Sequence, residues 1–313
     1  MRLSKVAARA LAATVSISAL GLVALTNVSP AGATTTPVTY YVSLGDSYSV
    51  GYQPLPAPHA SSGYTGYVAT KLKLTLVNFG CGGATTVSIL DPTALCNDIQ
   101  FGPPAATNAG VVPPDESQVQ AADAFITAHA GHIGLITVSI GGNDVTPCIN
   151  ASVGNPVNGQ TTTIGCVGVG VTQIQTNVGT VVDDLHAAAG SAVPIVGLTY
   201  PDVLLGEWVY HPTTTQSAGE SLANLSIYAF NNLINPDLKA AYTSVAGGKF
   251  VNVTNSQFWS TSLTKTTNLK PYGKIPKAVS EICKLTYYCA LGNIHANTKG
   301  YTDIGKLIKK AVG

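Results

Sequence analysis

Five short apolar runs separated by segments of helical period constrain this chain more than anything else in it. Val38–Leu44, Leu76–Phe79, Gly134–Ile140, Val193–Thr199 and Phe250–Val253 have the length and β-branched content of strands. Gly66–Leu72, Ser117–Ala130, Thr172–Ala189, Gln216–Tyr242 and Asn297–Val312 read as helices. In Thr172–Ala189 the residues Ile174, Val178, Val181, Val182 and Leu185 fall on one side. Pro236 is expected to interrupt the Gln216–Tyr242 segment, because its ring removes a hydrogen bond and crowds the preceding turn. Phe101–Pro114 and Thr261–Lys277 read as surface loops. Strands alternating with helices predict an α/β domain with a parallel sheet covered on both faces. In such sheets a ligand sits at the carboxyl ends of the strands.

The first residues read as an export signal rather than part of the fold. Arg2, Lys5 and Arg9 make a positive start, Ala10–Leu25 is uncharged and apolar, and Ala31-Gly32-Ala33 supplies small residues for cleavage. The apolar stretch is shorter than the roughly 20 residues a spanning helix needs. The expectation is a signal peptide over residues 1–33, one domain over 34–313, and secretion after cleavage near Ala33. No stable membrane insertion is expected.

Charge is unevenly placed. After Arg9 there is no arginine, and residues 34–313 carry 13 lysines against 15 acids. Thr75–Asp237 holds twelve acids and no lysine, whereas Leu238–Gly313 holds eleven lysines against Glu281 and Asp303. A near-neutral balance without arginine argues against a nucleic-acid partner, since the bidentate fork that reads bases and phosphates is missing. The lysine-rich end reads as a solvated face.

The six cysteines are Cys81, Cys96, Cys148, Cys166, Cys283 and Cys289. An even count in an exported chain implies disulfides, although six cysteines allow 15 pairings. Nearest-neighbour pairing would join Cys81–Cys96, Cys148–Cys166 and Cys283–Cys289. Spacing speaks against zinc: there is no Cys-x-x-Cys pair and no two histidines at an i, i+4 interval. Neither a metal nor a cofactor is expected.

Three strand ends carry the chemistry. Ser47 lies in Gly45-Asp46-Ser47, just after the first strand. Gly82-Gly83 follows the second, and Gly142-Asn143-Asp144 follows the third. A serine on such a turn becomes a nucleophile if a histidine reaches it. Backbone N–H groups at Ser47 and Gly83, with the Asn143 amide, would form an oxyanion hole for a tetrahedral intermediate. Of His59, His129, His132, His186, His211 and His295, the last is best placed, in Gly292-Asn293-Ile294-His295 before the final helix. Asp46 and Asp144 read as loop organisers.

In this order, Gly45-Asp46-Ser47, Gly83, Gly142-Asn143-Asp144 and a C-terminal His295 resemble the SGNH/GDSL hydrolase superfamily. Asn78–Thr86 and Thr199-Tyr200-Pro201 look like its secreted actinobacterial lipase/esterase branch, and six cysteines in three sequential pairs fit that branch too. The resemblance implies a three-layer α/β/α, flavodoxin-like fold with a five-stranded parallel sheet, and hydrolysis of carboxylic esters without a cofactor. It implies Ser47 and His295 as the catalytic pair. One departure stands out. The family usually has an aspartate two or three residues before the histidine, where this chain has Asn293 and Gly292. A Ser–His dyad is therefore expected, with a backbone carbonyl near Gly292 as first choice to orient the imidazole and the Asn293 side-chain oxygen as second. Ala296 stands where the family often has proline.

The expected partner is a small-molecule or lipid ester, bound by a monomer. Two other readings compete. A carbohydrate O-deacetylase on the same fold would want exposed aromatics along a groove, and the chain has only Trp208 and Trp259 beside its tyrosines. A non-catalytic surface or adhesion protein would explain the missing aspartate but not the joint retention of Ser47, Gly83, Asn143 and His295.

Overall fold

A computed structural model describes residues 39–94, 112–113, 115–151, 155–210 and 215–313, which lie within one compact unit, Pro37–Gly313. The candidate leader over residues 1–33, most of the Phe101–Pro114 loop, Cys96 and His211 lie outside the described residues.

Strand β1 (Tyr40–Gly45) is followed by a two-residue antiparallel ladder, β2 (Tyr52–Gln53) with β3 (His59–Ala60), then helix α1 (Gly63–Leu72) and strand β4 (Thr75–Asn78). Helix α2 (Gln118–Ala128) leads into β5 (Ile133–Ser139) and the short α3 (Gly142–Val145). Helix α4 (Thr163–Ala189), β6 (Ile195–Leu198), α5 (Gln216–Ala229), α6 (Asn235–Tyr242) and β7 (Gly248–Val251) follow. The chain ends with a hairpin, β8 (Thr266–Leu269) and β9 (Gly273–Pro276), and with α7 (Lys277–Leu285), α8 (Tyr288–Leu291) and α9 (Thr298–Val312).

The main sheet has five strands in the order β4-β1-β5-β6-β7, and every pairing is parallel. Alternation along β1 sorts its side chains. Val42 and Leu44 join the core cluster of α2, α4 and α6, while Tyr41 joins that of α1, α7 and α9. Three α/β/α layers result, and all the parallel strands end at one edge.

Local signals set several boundaries. Ser117 starts α2 with a reciprocal capping box: its Oγ accepts from Gln120 N–H at 3.1 Å, and Gln120 Oε1 accepts from Ser117 N–H at 2.9 Å. Asn297 caps α9 by accepting from Gly300 N–H at 3.0 Å. Each such cap contributes about 1 kcal/mol.

Elsewhere the structure departs from sequence expectation. Helix α4 begins nine residues before the expected Thr172, because Thr162 caps it by accepting from Gly165 N–H. A Cβ on Gly170 would come within 3.1 Å of Val145, so a residue of poor helix propensity is used for contact. The Thr261–Lys277 loop instead contains the β8–β9 hairpin and leads into α7, an element not expected from the pattern. Pro236 does not break the helix. It sits in the first turn of α6, and the irregularity lies upstream as a π turn over Phe230–Ile234. There Asn235 N–H reaches back to Phe230 O, and the wider turn makes room for a residue with no N–H to give.

Two expected cysteine pairs lie at disulfide geometry, Cys148–Cys166 with Cα atoms 5.5 Å apart and Cys283–Cys289 at 5.0 Å. Cys81 is buried, and its expected partner Cys96 is outside the described residues.

Candidate active site

Gly45 ends β1 with φ +133°, and a Cβ there would run into the Ser139 carbonyl of the neighbouring strand. Only glycine allows this sharp exit, which turns the next residue over the sheet edge. Asp46 N–H donates to Ser139 O at 3.0 Å, and Gly45 N–H donates to Gln118 Oε1 at 3.0 Å. Ser49 Oγ donates to Asp46 O at 2.6 Å, and Tyr52 N–H donates to Ser47 O at 3.0 Å. Ser47 is thereby held on a turn bonded on every side and is 5% exposed.

His295 reaches it from the other end of the chain. The Nε2 atom lies 2.7 Å from Ser47 Oγ, across 248 residues of sequence. Nδ1 lies 2.9 Å from Asn293 Oδ1, and the backbone N–H of His295 donates to that same oxygen at 3.1 Å. An atom that receives a backbone N–H must be the amide oxygen, which can only accept. Nδ1 therefore carries the proton, and the Nε2 lone pair faces the serine hydroxyl.

The expected orienter near Gly292 is not the one found. Gly292 terminates α8 with φ +64°, donating its N–H to Tyr288 O at 2.7 Å, and lies against the Tyr210 ring. The second choice, Asn293, holds the imidazole, because its short side chain closes a local turn onto residue 295. Asp303, the downstream acid, is occupied elsewhere: it accepts from Lys299 Nζ and Lys306 Nζ, each at 2.8 Å.

The loop that carries His295 is pinned on both sides. Tyr287 N–H donates to His295 O at 3.0 Å, and Asn297 N–H donates to Leu285 O at 2.9 Å. Cys283–Cys289 joins α7 to α8 directly before it. Tyr48 Oη donates to Ile294 O at 2.6 Å, and the ring of Tyr52 meets that of His295 edge to face at 4.3 Å.

Asn143 stands in the first turn of α3 and lines the same cavity as Ser47. One N–H of its amide donates to Ala84 O at 2.8 Å, which leaves the second for a ligand. Asp144 accepts from Thr86 N–H and from Thr86 Oγ1, the latter at 2.6 Å. These bonds fasten the Gly83 turn to the strand end bearing Asn143. Gly83 is exposed with φ +78° and is not part of the cavity wall.

Burial dominates the electrostatics. It pushes His295 down to about 3, so the imidazole is neutral over the ordinary pH range. It pushes Asp46 up to about 7 against the hydrogen bonds from Tyr200 and Tyr48. Asp46 Oδ2 accepts from Tyr200 Oη at 2.5 Å, and Oδ1 accepts from Tyr48 N–H at 2.9 Å. Asp46 thus organises its turn, as expected from sequence, through a side chain as well as the backbone. The roles of Gln118 and Tyr48 carried no sequence signal. Tyr200, directly beyond β6 at the same edge as the other strand ends, could have been found by position.

Among the described histidines, His129 Nδ1 lies 2.8 Å from Phe125 O at the end of α2, and His59 Nδ1 lies 2.7 Å from Ala57 O. Among the described residues no group of three or more His, Cys, Asp or Glu side chains is placed to hold a metal ion.

A doubly covered parallel sheet with a serine and a histidine bonded at its carboxyl edge defines a class of α/β hydrolytic proteins. The GDSL-like Lipase/Acylhydrolase family model matches residues 43–302, and the chain belongs to that family. The family is one of ester hydrolases. No curated protein sequence matches significantly. Among solved structures, the chain is similar to an extracellular lipase from Streptomyces rimosus, at 17% identity and TM-score 0.45, covering 88% of this chain and 100% of that one. It is also similar to phospholipase A1 from Streptomyces albidoflavus NA297, at 18% identity and TM-score 0.39, covering 68% and 79%. A carbohydrate esterase matches at 12% identity and TM-score 0.37, covering 70% and 57%.

Proposed function

We propose that the protein is a secreted esterase or lipase in which Ser47 and His295 form a catalytic dyad oriented by Asn293. One observation carries this reading: an imidazole with its Nδ1–H committed to an amide oxygen and its Nε2 lone pair 2.7 Å from a serine hydroxyl. As the Ser47 oxygen bonds to the ester carbonyl carbon, its proton passes to Nε2. The carbonyl oxygen becomes an oxyanion, taken up by the N–H of Ser47 and the free N–H of Asn143, with the N–H of Gly83 as a third donor from the turn that Asp144 fastens beside the cavity rather than in its wall. Collapse expels the alcohol, which receives the proton from Nε2. Water then attacks the acyl-serine by the same route, releasing the acid and restoring the serine. The imidazolium formed in each half has only the Asn293 dipole for support, which is weaker than a carboxylate.

The cavity next to Ser47 is about 290 Å³ and largely apolar, which favours an acyl substrate over a sugar. Trp259 is buried and Trp208 is half-buried, so neither offers the open ring that a deacetylase of polysaccharides would use. Export is supported by the leader pattern and by two cysteine pairs at disulfide distance. Among the described residues no helix is long and apolar enough to cross a membrane.

Labelling by an organophosphonate, read by peptide mass spectrometry, tests the dyad. Modification is expected at Ser47 in the wild type, greatly slowed in His295→Ala and absent in Ser47→Ala. A folded wild type that stays unmodified would leave the non-catalytic reading in place.

A further inference from the structure

The cavity beside Ser47 has one wall built in an unusual way. Leu222, Ser226, Phe230, Ile234 and Leu238 all line it, each four residues after the last. In a straight α-helix residues four apart drift by about 40° around the axis, so five in a row could not share one wall. The π turn over Phe230–Ile234 falls in the middle of this run. It winds less per residue than the α-helix and takes back part of the drift. The stripe is otherwise apolar. The Ser226 hydroxyl lies 2.9 Å from both Asp202 Oδ2 and the Ala223 carbonyl, which turns its proton away from the cavity. No lysine contributes to the lining, and its one carboxylate, Asp46, is held by Tyr48 and Tyr200 at the serine end.

Resting on the ester-hydrolase reading of Ser47, we propose that this cavity holds the acyl chain and that the π turn sets its length. An uncharged, unbranched chain attached at Ser47 would run along the stripe, with Phe230 and Ile234 as the limiting wall. Extending the chain within the cavity should raise kcat/KM about fourfold per methylene, and chains that outgrow it should gain nothing more.

The test compares kcat/KM on p-nitrophenyl acetate, butyrate, octanoate and palmitate. Wild type should favour butyrate over acetate by at least tenfold. Phe230→Ala, which removes wall, should raise the palmitate-to-octanoate ratio at least tenfold. Leu225→Trp, which fills the cavity, should lower the octanoate-to-acetate ratio at least tenfold. Tyr228→Ala, on the same helix but exposed, should leave both ratios at wild-type values. A small organophosphonate that labels Ser47 in every variant shows that each is folded with its nucleophile intact. With labelling intact, ratios in Phe230→Ala and Leu225→Trp that match Tyr228→Ala overturn the acyl-site assignment and leave the hydrolase reading standing. Failure of all four esters together with failure of labelling overturns the hydrolase reading itself, and the acyl site with it.

Discussion

The hydroxyl of Tyr48 donates to the carbonyl of Ile294 at 2.6 Å, so the residue after Ser47 grips the residue before His295. The two turns that the proposed proton transfer would align are thus tied by a bond independent of the Ser47–His295 contact. In Tyr48→Phe the ring packing against Tyr200 and Tyr301 remains while the tie is lost. A fall in kcat of roughly tenfold is expected, with KM little changed, because near-attack geometry loosens while ground-state binding does not. A loss seen in KM alone would show that Tyr48 only shapes the pocket.

His295 is held near 3 by burial, and catalysis needs it neutral, so the acid limb of kcat/KM should lie well below the 6.5 of a free imidazole. Asn293→Asp places a carboxylate against Nδ1, favours imidazolium, and should move that limb upward. Asn293→Ala should cost kcat roughly a hundredfold, since the tautomer is no longer imposed. Stability follows the same group. The unfolded imidazole binds a proton below about 6.5 and the folded one only near 3, so stability from this site is lost as pH falls through that window. Asp46 acts with the opposite sign: its folded value near 7 exceeds the unfolded 3.8, so its contribution is lost as pH rises between them. Activity and thermal melting from pH 3 to 8 check both.

Asn143→Ala should reduce kcat by about 10²–10³ with KM nearly unchanged, because in the proposed mechanism its second N–H serves the oxyanion rather than the ground-state ester. The Asn143→Asp variant gives a second check, since it keeps the volume but replaces the amide nitrogen, and with it both N–H donors, by an acceptor oxygen. It should be at least as damaging in steady-state kinetics.

Asp303→Asn should leave kcat within a small factor of wild type. Both oxygens of the buried carboxylate are engaged by Lys299 and Lys306, so the substitution should show in the melting temperature rather than in kcat. Damage matching that of His295→Ala would mean that a displaced triad replaces the dyad.

Replacing Cys283 and Cys289 by serine opens a short loop whose closure stabilises by about 2 kcal/mol under the chain-entropy model. The link joins the two helices that precede the His295 loop, so kcat should fall along with the melting temperature. Differential scanning calorimetry and initial rates on one ester measure the two effects separately.

Sequence pattern reached the five strands of the main sheet and most helices because the signals are local: β-branched runs of the right length and apolar residues at helical spacing. The Gly-Asp-Ser turn was equally legible, since its place after a strand already implies a sheet edge. Three features depended on context that pattern does not carry, among them the β8–β9 hairpin inside a segment that reads as a loop. The start of α4 was hidden by glycines of poor helix propensity, of which Gly170 is explained by the close approach of Val145. The π turn was hidden by Pro236, which looked like a break and instead begins α6.

The residue types for the chemistry, their order, and the absence of a carboxylate just before His295 were determined by the sequence alone. The tertiary structure decided which atom meets Nδ1, that Asp303 is spent on lysines, and which helices wall the cavity. The reason is distance along the chain. A 2.7 Å contact across 248 residues depends on how a whole sheet and its helices stack, whereas a turn or cap depends on its nearest neighbours. Asn293 shows the boundary between the two. Its position beside the histidine was plain in sequence, but the choice between its amide oxygen and a nearby carbonyl was made by the left-handed turn at Gly292 and the packing of Tyr210 against it.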